Sequence, residues 1–204
     1  MTIHLHQDDL PDDFDPGKAV AIDSETTGLH PGRDRLCLVQ VSSGDGDAHL
    51  VKVGKEIAPA PNLTRILADE KVLKLYHYAR FDIAMLFDSY GVMSAPNYCT
   101  KIASRLVRTY TDRHSLKTLC QELLGVSLSK EQQSSDWAAE ELTKEQMGYA
   151  ASDVLYLHQL CERLNEMLER EGRLDLALSC FDFLPTRCQL DLAGWPEVDI
   201  FSHS

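Results

Sequence analysis

The 204-residue chain fits one domain, and its hydrophobic fraction of 44% is ample for a core. Acidic residues outnumber basic ones 32 to 20, a formal charge of −12 that argues against the broad Lys/Arg grip long nucleic acid needs. No apolar run approaches a membrane span, and the acidic N-terminus lacks the pattern of a signal peptide. Six scattered cysteines without a C-x-x-C pair argue against zinc and for a reduced, cytoplasmic protein.

Ile3 and Leu5 alternate with His4 and His6, the pattern of an edge strand, before an Asp/Pro-rich loop. Ala19–Asp23 (AVAID), Leu36–Val41 (LCLVQV) and residues 48–53 read as three strands of an antiparallel meander, turned at Gly28–Gly32 and Gly44–Gly46. Asn62 suits the N-cap of a short helix through Ala68. Val72–His77 reads as a further strand, and Phe81–Tyr90 as a helix stopped by Gly91. Thr100–Val107 and Ser115–Leu124 are two more helices, the second ended by Gly125.

Thr143 with Gln146 three residues on forms a capping box. It opens one long helix striped by Met147, Ala151, Val154, Leu157, Cys161, Leu164 and Leu168, and Gly172 ends it. A last helix spans Leu174–Phe181, ahead of a Pro- and Trp-containing tail. The order of elements predicts an α/β chain with a mixed central sheet flanked by helices.

Three acidic clusters carry the chemistry. Asp23 and Glu25, two apart on a strand, face one side, where their repulsion calls for a divalent cation held by oxygen ligands. Asp82 falls in the first turn of a helix, where the macrodipole alone would also favour a carboxylate. Tyr149 and Asp153 are i and i+4 on the long helix and point the same way, separated by the small residues Ala150, Ala151 and Ser152. Each cluster also has a bland reading: an acidic turn, a dipole partner, a surface pair.

Their order on the elements resembles the DEDD exonuclease superfamily, in the branch with a tyrosine typified by ribonuclease D. Leu36–Val41, Ser115-Leu116-Lys117-Thr118-Leu119 and Leu128-Ser129-Lys130 followed by Ser135-Asp136-Trp137 are similar to that family's segments, and the match runs from about Ala19 to Leu160. Tyr98–Ser104 and Arg108–His114 resemble its nano-RNase C members, bacterial enzymes that degrade very short RNA. The chain departs from full-length ribonuclease D in leaving no room for C-terminal nucleic-acid-binding modules, and in having Cys99 where the longer enzymes commonly carry Asp.

The resemblance implies a ribonuclease H-like DEDD exonuclease fold over residues 1–204, with a catalytic core at about 19–170. It implies a 3′–5′ exoribonuclease cutting very short RNA, dinucleotides above all, to nucleoside 5′-monophosphates. Asp23, Glu25, Asp82 and Asp153 would hold two Mg²⁺ or Mn²⁺ ions, and Tyr149 would orient or deprotonate the attacking water. It also implies a homo-octameric ring, compatible with the apolar tail, residues 173–204, which holds Phe181, Phe183, Leu184, Leu190, Trp195 and Phe201.

Substrate contacts have two readings each. Thr26 and Leu29 resemble positions touching the terminal nucleotide, Leu29 as a wedge against bases or as a turn residue packing on the core. His77 reads as a sugar or phosphate contact or as a satisfied strand-end histidine. Arg113, Lys130 and Gln133 are candidates for the far phosphate or ordinary surface groups; Trp137 reads as packing. The alternative function is a general 3′–5′ exonuclease on longer RNA or single-stranded DNA, which should carry a basic, aromatic-laced track.

Overall fold

A computed structural model describes residues 2–129, 131–132 and 134–203. Six strands form one mixed sheet: β1 (Ile3–Gln7), β2 (Ala19–Thr26), β3 (Leu36–Ser42), β4 (Ala48–Lys52), β5 (Leu73–Tyr76) and β6 (Asn97–Cys99), in the spatial order β1-β4-β3-β2-β5-β6. The expected β2-β3-β4 meander is antiparallel, while β1 on β4, and β5 and β6 beyond β2, are parallel. All seven residues of β3 are buried, as its near-continuous apolar run requires of a central strand. His4 and His6 lie on the edge strand β1, as their alternation predicts.

Among the described residues seven α-helices accompany the sheet: α1 (Pro61–Ala68), α2 (Ala79–Tyr90), α3 (Thr100–Val107), α4 (Leu116–Leu119), α5 (Lys144–Leu155), α6 (Leu157–Arg170) and α7 (Leu174–Leu192). Gly91 stops α2 in the left-handed conformation at φ 70°, which costs glycine nothing. The Thr143–Gln146 capping box is present in both directions. Several elements depart from their sequence expectation.

Helix α1 starts two residues earlier than an Asn62 cap would allow. Pro61 takes the first helical position, and Asp9 from the N-terminal loop accepts from the free N–H groups of Asn62 and Leu63 at 2.9 Å each. Strand β6, three residues long, carries no legible period. The helix expected over 115–124 is a single α turn running into a π turn over Cys120–Leu124.

The long helix opened by Thr143 breaks at Tyr156 (φ −108°, ψ −2°). Helix α5 lies on β2, β3 and β4, whereas α6 turns to pack on α3, β2 and β5. His158, just past the break, bonds the Ala19 carbonyl at 3.0 Å. Helix α7 runs eleven residues beyond Phe181 and through Pro185. An interior proline costs about 3 kcal/mol, and the stripe Ala177, Phe181, Leu184 and Cys188, buried to 4% exposure or less, offsets it.

Candidate active site

The acids stand at the ends of three elements that meet beside the centre of the sheet. Asp23 and Glu25 lie on β2 opposite Gln40 and Leu38 of β3, just before a bulge between Glu25 and Thr26. Asp153 comes from α5, which packs across β2 and β3. Carboxylate oxygens of Asp23, Glu25 and Asp153 all lie within 4.8 Å of one another. Asp82, 3% exposed in the first turn of α2, stands at the side of this cluster and accepts a 2.6 Å hydrogen bond from Ser24 Oγ.

Among the described residues no Lys, Arg or His forms an ion pair with any of these four acids. The cost appears in their proton affinities. Burial pushes Asp23 up to about 7, against a hydrogen bond from the Ser24 backbone that pulls the other way. Burial, then the charges of Asp23, Asp153 and Asp82, pushes Glu25 up to about 10. Asp82 and Asp153 are raised as well, by burial and then by Asp23. Unpaired buried carboxylates with oxygen donors only are the donor set of a hard divalent cation. These residues therefore fit Mg²⁺ or Mn²⁺.

Tyr149, one turn before Asp153, lines the same cavity. Burial, then the charges of Asp153, Glu25 and Asp23, raises its hydroxyl and holds the proton on it. Trp137 is buried to 4% and its ring lies 6.1 Å from that of Tyr149, so it packs behind the tyrosine. The loop carrying Trp137 is tied to the sheet where Lys52 Nζ donates to the Ala139 carbonyl at 2.7 Å and to that of Glu140.

The cavity, of about 270 Å³, is also lined by His77, Tyr78, Lys101 and Lys117. His77 is half-buried, with Nδ1 2.8 Å from Thr100 Oγ1. Burial and then the Lys101 charge depress it to about 3, so it is neutral at ordinary pH. Leu29 is 78% exposed at the tip of the 27–35 turn and does not pack on the core. Thr26 Oγ1 donates to the Gly28 carbonyl at 2.5 Å and so braces that turn. Arg113 does not line the cavity; its exposed guanidinium lies 3.7 Å from Glu122. Lys130 and Gln133 lie outside the described residues.

Ser24, Lys101 and Lys117 are cavity residues that sequence reasoning passed over. A lysine on a helix reads as a solvated surface charge, and alternation places Ser24 on the face away from Asp23. Lys117 sits within the SLKTL segment and Lys101 within the Tyr98–Ser104 segment already singled out, which were the available signals.

Comparison with known proteins accounts for this arrangement. Residues 9–169 match the DNA_pol_A_exo1 family, described as a 3'-5' exonuclease. The chain belongs to that family. Among curated relatives, ribonuclease D of Granulibacter bethesdensis is 34% identical over 155 residues, 76% of this chain but 39% of its own length. The chain thus spans about two fifths of that relative. Among solved structures, Brucella melitensis NrnC is 56% identical with a TM-score of 0.96, covering 100% of both chains. That protein has also been solved with bound Mg²⁺ and bound to pGG. Escherichia coli RNase D, described as an exoribonuclease involved in structured RNA processing, has a TM-score of 0.76 at 27% identity, over 84% of this chain and 45% of its own.

Proposed function

We propose that this chain is a metal-dependent 3′–5′ exoribonuclease that hydrolyses very short RNA, dinucleotides above all, to nucleoside 5′-monophosphates. The observation that carries this reading is the convergence of Asp23, Glu25 and Asp153 within 4.8 Å, with Asp82 beside them and no cation paired to any of them among the described residues. These four acids would hold two Mg²⁺ or Mn²⁺ ions. When bound, such ions acidify a coordinated water and neutralise charge on the phosphate and the leaving 3′ oxygen.

The protein's own groups do the rest. Ser24 holds the Asp82 carboxyl in one orientation. Tyr149, kept protonated by its surroundings, suits orienting the attacking water better than taking its proton. Lys101 and Lys117, on the cavity wall, are placed to meet the substrate's phosphates. Leu29, exposed on a braced turn, is free to wedge against a base, and Thr26 supports that turn. His77, neutral, is left for a sugar contact.

Support for a short substrate is threefold. The net charge of −12 disfavours a long polyanion. The catalytic cavity of about 270 Å³ is small. The similar Brucella protein has been solved bound to pGG. Residues 1–204 would then act as one exonuclease domain, with a catalytic core at about 19–170.

Exposed Leu176, Leu178, Trp195 and Phe201 on α7 and the segment after it support subunit contacts in a homo-oligomer. An octameric ring is the assembly that the sequence resemblance implies. Six free cysteines fit the reducing cytoplasm, and among the described residues no helix is long and apolar enough to cross a membrane.

The deciding experiment incubates the protein and Mg²⁺ with 5′-labelled RNAs of two to ten nucleotides. Dinucleotide cleavage far faster than the rest supports the reading, and comparable rates across the series would favour the general exonuclease instead.

A further inference from the structure

Next to the catalytic cavity lies a second one, of about 320 Å³, whose lining is unlike the rest of this acidic molecule. Lys101 and Arg105 of α3, Arg80 of α2 and Arg187 of α7 surround it, and no Asp or Glu is among its lining residues. Four cations around one cavity stand out in a chain with 20 basic residues against 32 acidic ones. Its floor is apolar, formed by Ile102, Leu184 and Phe183, the last 37% exposed.

The four cations are not equivalent. Arg80 and Arg187 both bond Asp191, Arg80 in a two-pronged pair at 2.6 and 2.7 Å, so together the three carry one net positive charge. Lys101 and Arg105 have no carboxylate partner among the described residues. They also repel each other: after burial, the charge of Arg105 is the next cause that makes the Lys101 ammonium easier to deprotonate. Two adjacent cations without a counter-ion, above an apolar floor with an accessible aromatic ring, form a site for a flat apolar body carrying an anionic group.

Tyr78 and Lys101 belong to the lining of both cavities and form the wall between them. Lys101 Nζ lies 4.4 Å from the centre of the Tyr78 ring. Tyr78 itself is in the left-handed conformation at φ 74°, a strained backbone for a residue with a side chain and one that persists where the surroundings demand it.

We propose that this second cavity binds a free nucleoside 5′-monophosphate, its phosphate between Lys101 and Arg105 and its base on Phe183 and Ile102. The choice of nucleotide rests on the exonuclease reading, since that reaction releases this product beside the shared wall. Occupancy would press on Tyr78 and Lys101 and so couple product level to the neighbouring catalytic cavity.

The test separates this site from the reaction. Guanosine 5′-monophosphate binding is measured by calorimetry on the full-length Asp23→Asn variant in EDTA, where the carboxylate site cannot hold nucleotide through metal. One saturable site per chain is expected, weakened about tenfold or more by Arg105→Glu and less by Arg105→Gln. Arg105 is exposed, so neither change threatens folding, and circular dichroism verifies this. Absence of saturable binding, or binding indifferent to Arg105→Glu, overturns the proposal. So does a result in which only a dinucleotide, never the monophosphate, senses Arg105, since the cavity would then belong to the substrate's path. RNA hydrolysis by the unaltered protein is measured separately, so failure of this inference leaves the exonuclease reading to its own test.

Discussion

Ser24 Oγ donates to Asp82 Oδ1 at 2.6 Å, across a sequence separation of 58 residues, so the residue between Asp23 and Glu25 orients the acid that comes from another element. Groups that orient a metal-binding carboxylate typically contribute about 10- to 100-fold in metal affinity or activity. Ser24→Ala should therefore raise the Mg²⁺ concentration needed for half-maximal hydrolysis by about that factor, with the fold intact. An unchanged metal titration would show that Asp82 needs no such support.

Tyr149→Phe removes one hydroxyl and keeps the ring that packs on Trp137. Removing a group that positions a proton in the transition state costs about 10²–10⁴ in rate. Turnover should fall by that much while Mn²⁺ binding, followed by calorimetry, stays near that of the unaltered protein. Near-normal turnover would remove Tyr149 from the chemistry.

Metal removal and pH should act together on stability. Asp23 rises from an ordinary 3.8 to about 7, and Glu25 from 4.5 to about 10. An acid raised in the folded state contributes stability that is full below its unfolded value and is lost as pH rises through the folded one. In EDTA the melting temperature should thus drop from pH 5 to pH 8. Mg²⁺ at a hundredfold excess over its dissociation constant should restore roughly 5–10 °C at pH 8. The gain at pH 5 should be smaller, and equal gains at both pH values would contradict a cation bound by these acids.

Gly28 can be only glycine in the present turn. A Cβ there would sit 2.4 Å from Asp34 Oδ2, and that carboxyl is already held by the His30 N–H at 2.9 Å and by Arg33 at 2.7 Å. Gly28→Ala should displace the turn that carries Leu29. The expected result is a several-fold rise in KM for dinucleotide with a melting temperature within a few degrees of the original. A KM left unchanged would mean that Leu29 does not meet the substrate.

The chain by itself determined the elements whose physics is local. Short apolar runs marked β2 and β3, period-two alternation marked β4, glycines at φ 70° and 72° closed α2 and the turn after α4, and Thr143 with Gln146 announced α5. The candidate residues could be singled out too: spacing put Asp23 on one face with Glu25 and Tyr149 on one face with Asp153, while Asp82, alone on its helix, was singled out only by the family resemblance. Whatever depended on a partner far away in sequence was hidden. Asp9 capping α1, α7 continuing through Pro185, and the break at Tyr156 each answer to packing against another element. The same holds at the site. Only the folded chain could place Lys101 and Lys117 opposite the acids and turn Ser24 toward Asp82, because the direction of a side chain across a cavity is decided by how elements pack.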